Sequence, residues 1–317
     1  MVTDQQLRRS KAIQQRTGRT FSFATRLLPE RVRHPTYVLY AFFRVADEVV
    51  DGDDDPSAAE QRERLERLRA EALGRDDTDD PVVAAFSELR EEYDIPEREV
   101  EVFIDAMAED VETERYETYD ELASYMRGSA AAVGVMMLSV MDAANETTRP
   151  PAVALGEAFQ LTNFLRDVRE DVEDHGRIYL PAATLERHGV TAAQIRRCNP
   201  TKGFRAAMAE ELRRAERKYR EGVAGIEHLP DDCQFAVLYA AVLYAEHHRG
   251  IRARDYDVFG SSPEVGALRA AWLWARTRWH WRRSRDPVTV FHRVSAVPDR
   301  EDGHDAPDPT GGVPHVE

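Results

Sequence analysis

The sequence predicts an all-α protein, a single bundle of long helices around a central cavity. Three observations carry that prediction. Apolar residues recur at helical spacing through much of the 317 residues. No segment alternates like a strand, and no glycine-rich nucleotide loop or internal repeat is present. Two carboxylate clusters stand at i, i+4 spacing on separate helical segments, where stacked negative charge calls for something positive between them.

Taken in order, residues 4–16 read as a polar helix. Thr17 to Pro29 reads as a compact turn that sets Arg19 and Thr20 beside Gly18, a cradle suited to phosphate. Pro29 and Pro35 bracket the start of an apolar helix that carries Tyr40, Arg44, Asp47, Glu48 and Asp51. The acidic run after Asp51 lacks the glycine and terminal glutamate of a calcium loop, which excludes an EF-hand. Residues 57–73 form a charged outer helix, and 74–81 a solvated acidic loop. Val100, Phe103, Ile104, Met107 and Val111 mark an amphipathic helix after Pro96. Another helix is expected over 119–141, with Tyr125 near its start. Its small-residue face from Gly128 to Gly134 allows close helix approach, or leaves room for a long apolar ligand.

The central helix is expected over 151–174, ending at His175-Gly176. Asn163, Asp167 and Asp171 fall on one face of it, with Gln160 and Glu170 close by. Short helices and turns follow over 177–200, then long helices over 203–226 and 231–255, the second largely apolar and carrying Tyr244. His247 and His248 are adjacent and point apart, so they share no metal. The stretch 270–285 is basic and holds all four tryptophans; packing of those tryptophans on the domain is favoured over a membrane-surface role. The domain is expected to span 1–290, with a tail over 291–317 that is disordered from about 298.

Composition narrows the function. A net charge of −15 argues against general affinity for nucleic acid. Lysine occurs only at positions 11, 202 and 218, and the excess of carboxylates suits a salt-adapted protein. Cys198 and Cys233 have no metal or disulfide spacing. With no apolar run approaching the ~18 residues of a membrane span, and no signal-peptide pattern, a cytoplasmic protein is expected. Carboxylate and amide oxygens are hard ligands, so the acidic clusters suit Mg²⁺ or Mn²⁺ with a phosphorylated substrate completing the shell. Read only as spacing, the same clusters also fit solvated faces of an acidic interaction protein.

The segments Asp47-Glu-Val-Val-Asp51 and Asn163-Phe-Leu-Arg166-Asp167-Val-Arg-Glu170-Asp171, the latter followed by Arg177-Ile-Tyr-Leu-Pro181, resemble the two signatures of the squalene/phytoene synthase family. The likeness runs from about Thr17 to about Phe259 and is greatest to phytoene synthases, including those of halophilic archaea. The resemblance implies the isoprenoid-synthase fold, with the two acidic motifs on opposite walls. It implies metal ligation by Asp47, Glu48, Asp51, Asn163, Asp167 and Asp171. Diphosphate and substrate contacts are implied for Arg19, Thr20, Tyr40, Arg44, Gln160, Arg166 and Tyr244, and a place near the reacting carbons for Tyr125. The implied reaction joins two geranylgeranyl diphosphates head to head into phytoene through prephytoene diphosphate, without NADPH. Because such a substrate and product are lipophilic, weak and reversible peripheral contact with membranes is expected, with Trp272 to Arg285 as the candidate contact.

Three alternatives stay open at this stage. A squalene or dehydrosqualene synthase would use farnesyl diphosphate with similar motifs. A head-to-tail prenyl diphosphate synthase would show DDxxD at both sites, which this chain lacks; Asp76 to Asp80 fits those letters but reads as a solvated loop. The third is the interaction protein above. After Phe259 the basic residues of many relatives are missing, leaving Arg252, Arg254 and Arg269 as candidates to replace their diphosphate contacts.

Overall fold

The computed structural model describes residues 24–52 and 56–299. Among these, the ordered elements are helices, and the one β-type contact is an isolated parallel bridge between Arg115 and Ile178. The helices are α1 (Glu30–Asp51), α2 (Ala58–Ala72), α3 (Pro81–Glu92), α4 (Glu97–Asp110), α5 (Tyr119–Met126), α6 (Ala132–Val140), α7 (Arg149–Arg166), α8 (Val168–Asp174), α9 (Ala182–Arg187), α10 (Ala192–Arg196), α11 (Lys202–Ala224), α12 (Asp231–Ala253), α13 (Ala267–Ser284) and α14 (Pro287–Val294).

Local chemistry explains several boundaries. Ser57 and Thr118 form capping boxes with Glu60 and Glu121, and Asp80 accepts from the Val82 N–H just ahead of α3. Pro35 lies inside α1, where the sequence suggested only the approach to a helix. A proline there leaves the carbonyl four residues earlier without its helical donor. That carbonyl belongs to Arg31, and the Tyr93 hydroxyl donates to it at 3.4 Å.

Two helices expected to be continuous are interrupted. The expected 119–141 helix contains a π-helical turn, Arg127–Ala131, between α5 and α6. The expected 151–174 helix breaks at Asp167, whose backbone (φ −106°, ψ 16°) ends α7 and starts α8. Hydrogen bonds from Asp167 N–H to Asn163 and from Asp171 N–H to Asp167, each 2.9 Å, keep the i, i+4 ladder across the break.

Two hydrophobic cores meet at α7. Leu161, Phe164 and Leu165 belong to the core shared with α1 to α6. Leu155 and Ala158 belong to the core formed with α11 to α14. Helix α7 comes so close to the π turn that a Cβ on Gly156 would stand 2.7 Å from the Ala130 carbonyl oxygen. The small residues therefore serve close approach, as one of the two sequence readings held. The boundary expected at 290/291 falls inside α14, where Phe291 and Val294 are buried together with Val297 beyond it. The helix expected over 4–16 lies outside the described residues.

Candidate active site

A cavity of about 680 Å³ runs along α7, enclosed mainly by α1, α4, α6 and α12 and the π turn. From Pro151 to Asp167, both on its lining, α7 spans roughly 24 Å at 1.5 Å per residue. Most of the wall is carbon: Leu39, Phe43, Val133, Met137, Leu155 and Val237 are representative. Polar chemistry gathers where α1, α4, α7 and α8 end.

There Asp47 and Asp51 from α1 face Asp167 and Asp171 from the α7–α8 junction. Three of the four carboxylates are held by arginine. Arg44 donates to Asp47 at 3.1 Å, Arg177 to Asp51 at 3.1 Å, and Arg166 to both oxygens of Asp167. His175 Nδ1 also lies 3.4 Å from Asp51. Arg177 stands between the two walls, bonded to Asp51 and lowering the proton affinity of Asp171 through its field. Asp171 makes no ion pair within 4 Å among the described residues. Burial, then Asp167 and Glu170, push its pKa up to about 8. Asp47 is raised to about 6 by burial, with Arg44 opposing and Asp51 and Asp110 adding. Its side chain, 36% exposed, opens into the cavity that it lines.

Beside this acid end lies a cluster of tyrosines around one more carboxylate. Asp110, the last residue of α4, accepts from the Tyr125 hydroxyl at 2.5 Å and from the Tyr179 hydroxyl at 3.3 Å. Arg177 Nη2 donates to the Asp110 carbonyl at 3.0 Å. Burial raises the Asp110 pKa to about 6, with Arg177 and Tyr125 pulling it down. The rings of Tyr116, Tyr125, Phe164 and Tyr179 pack on one another, Phe164 and Tyr179 stacked 3.9 Å apart.

Residues 14–284 match the family model described as squalene/phytoene synthase. The chain belongs to the squalene/phytoene synthase family. Within that family it is 33% identical to the phytoene synthase of Rhodobacter capsulatus over 293 residues, 91% of this chain and 86% of the relative. It is 32% identical to the 15-cis-phytoene synthase of a Paracoccus species over 298 residues, 90% and 95% of the two chains. Among solved structures, a dehydrosqualene synthase in complex with ligand superposes with a TM-score of 0.80 at 27% identity, covering 88% of this chain and 97% of that one. A squalene synthase from Alicyclobacillus acidocaldarius gives 0.68 at 25% identity, covering 81% and 98%. The fold is thus the all-helical one shared with these synthases.

Of the residues that the family resemblance singles out, Tyr40, Asp47, Asp51, Tyr125, Gln160, Asn163, Arg166, Asp167, Asp171 and Tyr244 all line the cavity. Arg44 reaches the site through Asp47. Glu48 does not line the cavity; it sits on the exposed side of α1. Arg19 and Thr20 lie outside the described residues. None of the three arginines considered as replacement diphosphate ligands lines the cavity. Arg252 binds Glu216 and the Ala296 carbonyl, Arg254 donates to the Gly250 carbonyl, and Arg269 grips Glu246. His247 and His248 do diverge: His247 Nδ1 lies 2.7 Å from the Pro263 carbonyl, and His248 Nε2 lies 2.9 Å from the Thr162 hydroxyl.

The cavity lining also brings Asp110, His175, Arg177 and Tyr179 to the acid end, none of which the sequence singled out. A partial signal existed: Arg177 and Tyr179 belong to the run that follows the second acidic motif. The described residues contain no ready-made group of three or more His, Cys, Asp or Glu around a metal position. The donor set nevertheless suits a hard cation. Asp171 is a half-buried carboxylate on the cavity lining with no ion pair among the described residues, and the side-chain oxygens of Asn163, Asp167 and Asp171 are all hard donors.

Proposed function

We propose that this enzyme condenses two molecules of geranylgeranyl diphosphate head to head into phytoene, through prephytoene diphosphate and with release of inorganic diphosphate. One observation carries the reading: two opposed carboxylate pairs, with Arg177 bonded to Asp51 of one and its field acting on Asp171 of the other, close one end of a long cavity whose remaining wall is largely apolar. Phytoene synthases as relatives over most of the chain support the choice of substrate.

The residues suit the chemistry. Asp47, Asp51, Asn163, Asp167 and Asp171 would hold Mg²⁺ or Mn²⁺, each ion completing its shell with water and diphosphate oxygens. When bound, such a cation supplies positive charge to the departing diphosphate. Arg44, Arg166 and Arg177 are poised to exchange their carboxylate partners for diphosphate oxygens. Departure breaks the C1–O bond, and the electron pair leaves with diphosphate. The allylic cation is attacked by the double bond of the second chain, and proton loss closes the cyclopropane ring. A second ionisation, rearrangement and proton loss give the triene. The carbon-lined cavity keeps water from the cations, and the faces of Tyr40, Phe43 and Tyr244 can stabilise them. No step consumes a reductant, so NADPH is not required.

Substrate and product are lipids, and no helix among the described residues is long and apolar enough to cross a membrane. Peripheral contact with a membrane is the expected mode. The test is incubation of purified protein with geranylgeranyl or farnesyl diphosphate and Mg²⁺, with and without NADPH, followed by identification of the hydrocarbon. Phytoene formed independently of NADPH supports the reading. Squalene or dehydrosqualene as the main product would replace it.

A further inference from the structure

Every large hydrophobic side chain exposed among the described residues lies on one helix. Leu268 (90% exposed), Trp272 (44%), Trp274 (41%) and Trp279 (51%) all belong to α13. Leu268, Trp272 and Trp279 stand at i, i+4 and i+11, which puts them on one face. Ala270, Leu273, Thr277 and Trp281 are buried on the other. The packing expected of the tryptophans is thus met only by Trp281, at 1% exposure.

The charge of the helix is as unusual as its apolar face. Between Ala267 and Ser284 there are five arginines and no acid, in a chain of net charge −15. Only Arg269 forms an ion pair with a carboxylate among the described residues, with Glu246. Arg276 and Arg283 instead lie over Trp272 and Trp279, at 5.1 and 3.5 Å from the ring centroids. Four of the five arginines therefore do not neutralise a carboxylate of the protein's own surface among the described residues. On the inner side, α13 packs against α12: the Tyr239 hydroxyl donates to the Ala270 carbonyl at 2.9 Å, and Arg278 lies over Phe235. The same helix α12 sends Ala236, Val237, Ala240 and Tyr244 into the cavity wall.

We propose that the outward face of α13 is the surface by which the protein docks on an anionic lipid bilayer. Tryptophan prefers the headgroup region, where its ring is apolar and its N–H is wet, and arginine complements anionic headgroups. Docking there places the wall of the prenyl cavity one helix away from the lipid surface. The inference deepens the peripheral contact expected for a lipid-converting enzyme, but its evidence is the face of α13 and not the acid site.

The experiment is vesicle flotation of the full chain with phosphatidylcholine alone and with added phosphatidylglycerol. Trp272→Ser with Trp279→Ser, and Arg276→Gln with Arg282→Gln and Arg283→Gln, are compared with wild type. Asp167→Asn serves as a control that leaves α13 intact, so loss of catalysis and loss of docking are separable. Wild type and Asp167→Asn should float with the anionic vesicles only. The tryptophan pair should lose binding by tenfold or more at an unchanged melting temperature. Each neutralised arginine should weaken binding roughly fivefold at low salt. Screening from about 0.1 M to 1 M salt shortens the Debye length from about 10 to about 3 Å and should release most of the bound protein. Equal flotation of the well-folded variants would overturn the proposal. So would a wild type that ignores anionic vesicles, including one that forms dimers which the tryptophan substitutions dissociate, since the face would then be a protein interface.

Discussion

Tyr125 donates its hydroxyl to Asp110 at 2.5 Å, joining the wall that carries α5 to the end of α4 inside the cavity lining. Asp110 also receives Tyr179, so one carboxylate fixes two phenols beside the acid end. Asparagine can still accept from one of these hydroxyls, whereas alanine leaves both without their acceptor, at about 1–3 kcal/mol for each buried group. Asp110→Asn should therefore fold with a melting temperature near wild type and lose turnover at least tenfold. Asp110→Ala should lose both stability and turnover. Circular dichroism melts alongside hydrocarbon assays separate the two outcomes; wild-type turnover by Asp110→Asn would remove this carboxylate from the site's function.

Asp171 gives a pH prediction. Its folded pKa is raised to about 8 from an ordinary value of 3.8, so the folded chain keeps a proton that the unfolded chain has released. Stability should fall as pH rises from about 4 to about 8, because the unfolded state binds fewer protons in that window. A hard cation on the acid end should reverse the loss and release a proton as it binds. Thermal melts should show a larger stabilisation by Mg²⁺ at pH 8.5 than at pH 6. Asp171→Asn should flatten both dependences, and an Mg²⁺ effect that persists unchanged in that variant would place the cation elsewhere.

Asp167 and Arg166 form the tightest arginine–carboxylate grip at the site, with both oxygens engaged. Asp167→Asn removes one negative charge and leaves Arg166 without its carboxylate. Turnover should fall at least a hundredfold. The fold should survive, since the side chain faces the cavity and the i, i+4 backbone bonds remain. Turnover close to wild type at saturating Mg²⁺ would free Asp167 of any catalytic part.

Gly156 tests the helix contact that shapes the cavity. A methyl group there meets the Ala130 carbonyl at 2.7 Å and the Ala131 Cα at 3.2 Å, both backbone atoms that cannot rotate away. Gly156→Ala should cost about 1–3 kcal/mol, in line with other overpacked sites. Chemical denaturation would measure it. A neutral effect would mean that α7 and the π turn separate easily.

The acidic ladder was legible in the sequence because its members are four residues apart, a distance that helix geometry alone converts into a shared face. Asp110 was not. It ends an amphipathic helix at the point where polar residues are expected, and its tyrosine and arginine partners come from other segments. Arg177 and Asp51 are 126 positions apart, so only the fold brings them together. The tryptophans misled for a different reason. Their composition suggested packing, but Trp272 and Trp279 fall on the face opposite Ala270, Leu273 and Thr277, and Trp274, though close in phase to Trp281, stays 41% exposed. The break at Asp167 has no glycine or proline to announce it and shows only in the backbone angles of Asp167 itself.

The π turn has a consequence for how this cavity can vary. One extra residue is looped into the helix between Tyr125, which serves the acid end, and Val133, Gly134 and Met137, which border the apolar volume. A bulge of that kind works as a rotary joint in the chain. Substitutions after it can turn or shift the apolar half of the wall while the phenol before it keeps its bearing on Asp110. Lodging capacity for the hydrocarbon and alignment of the reacting groups are thus inherited by separate halves of one wall, so chain length can drift without retooling the chemistry.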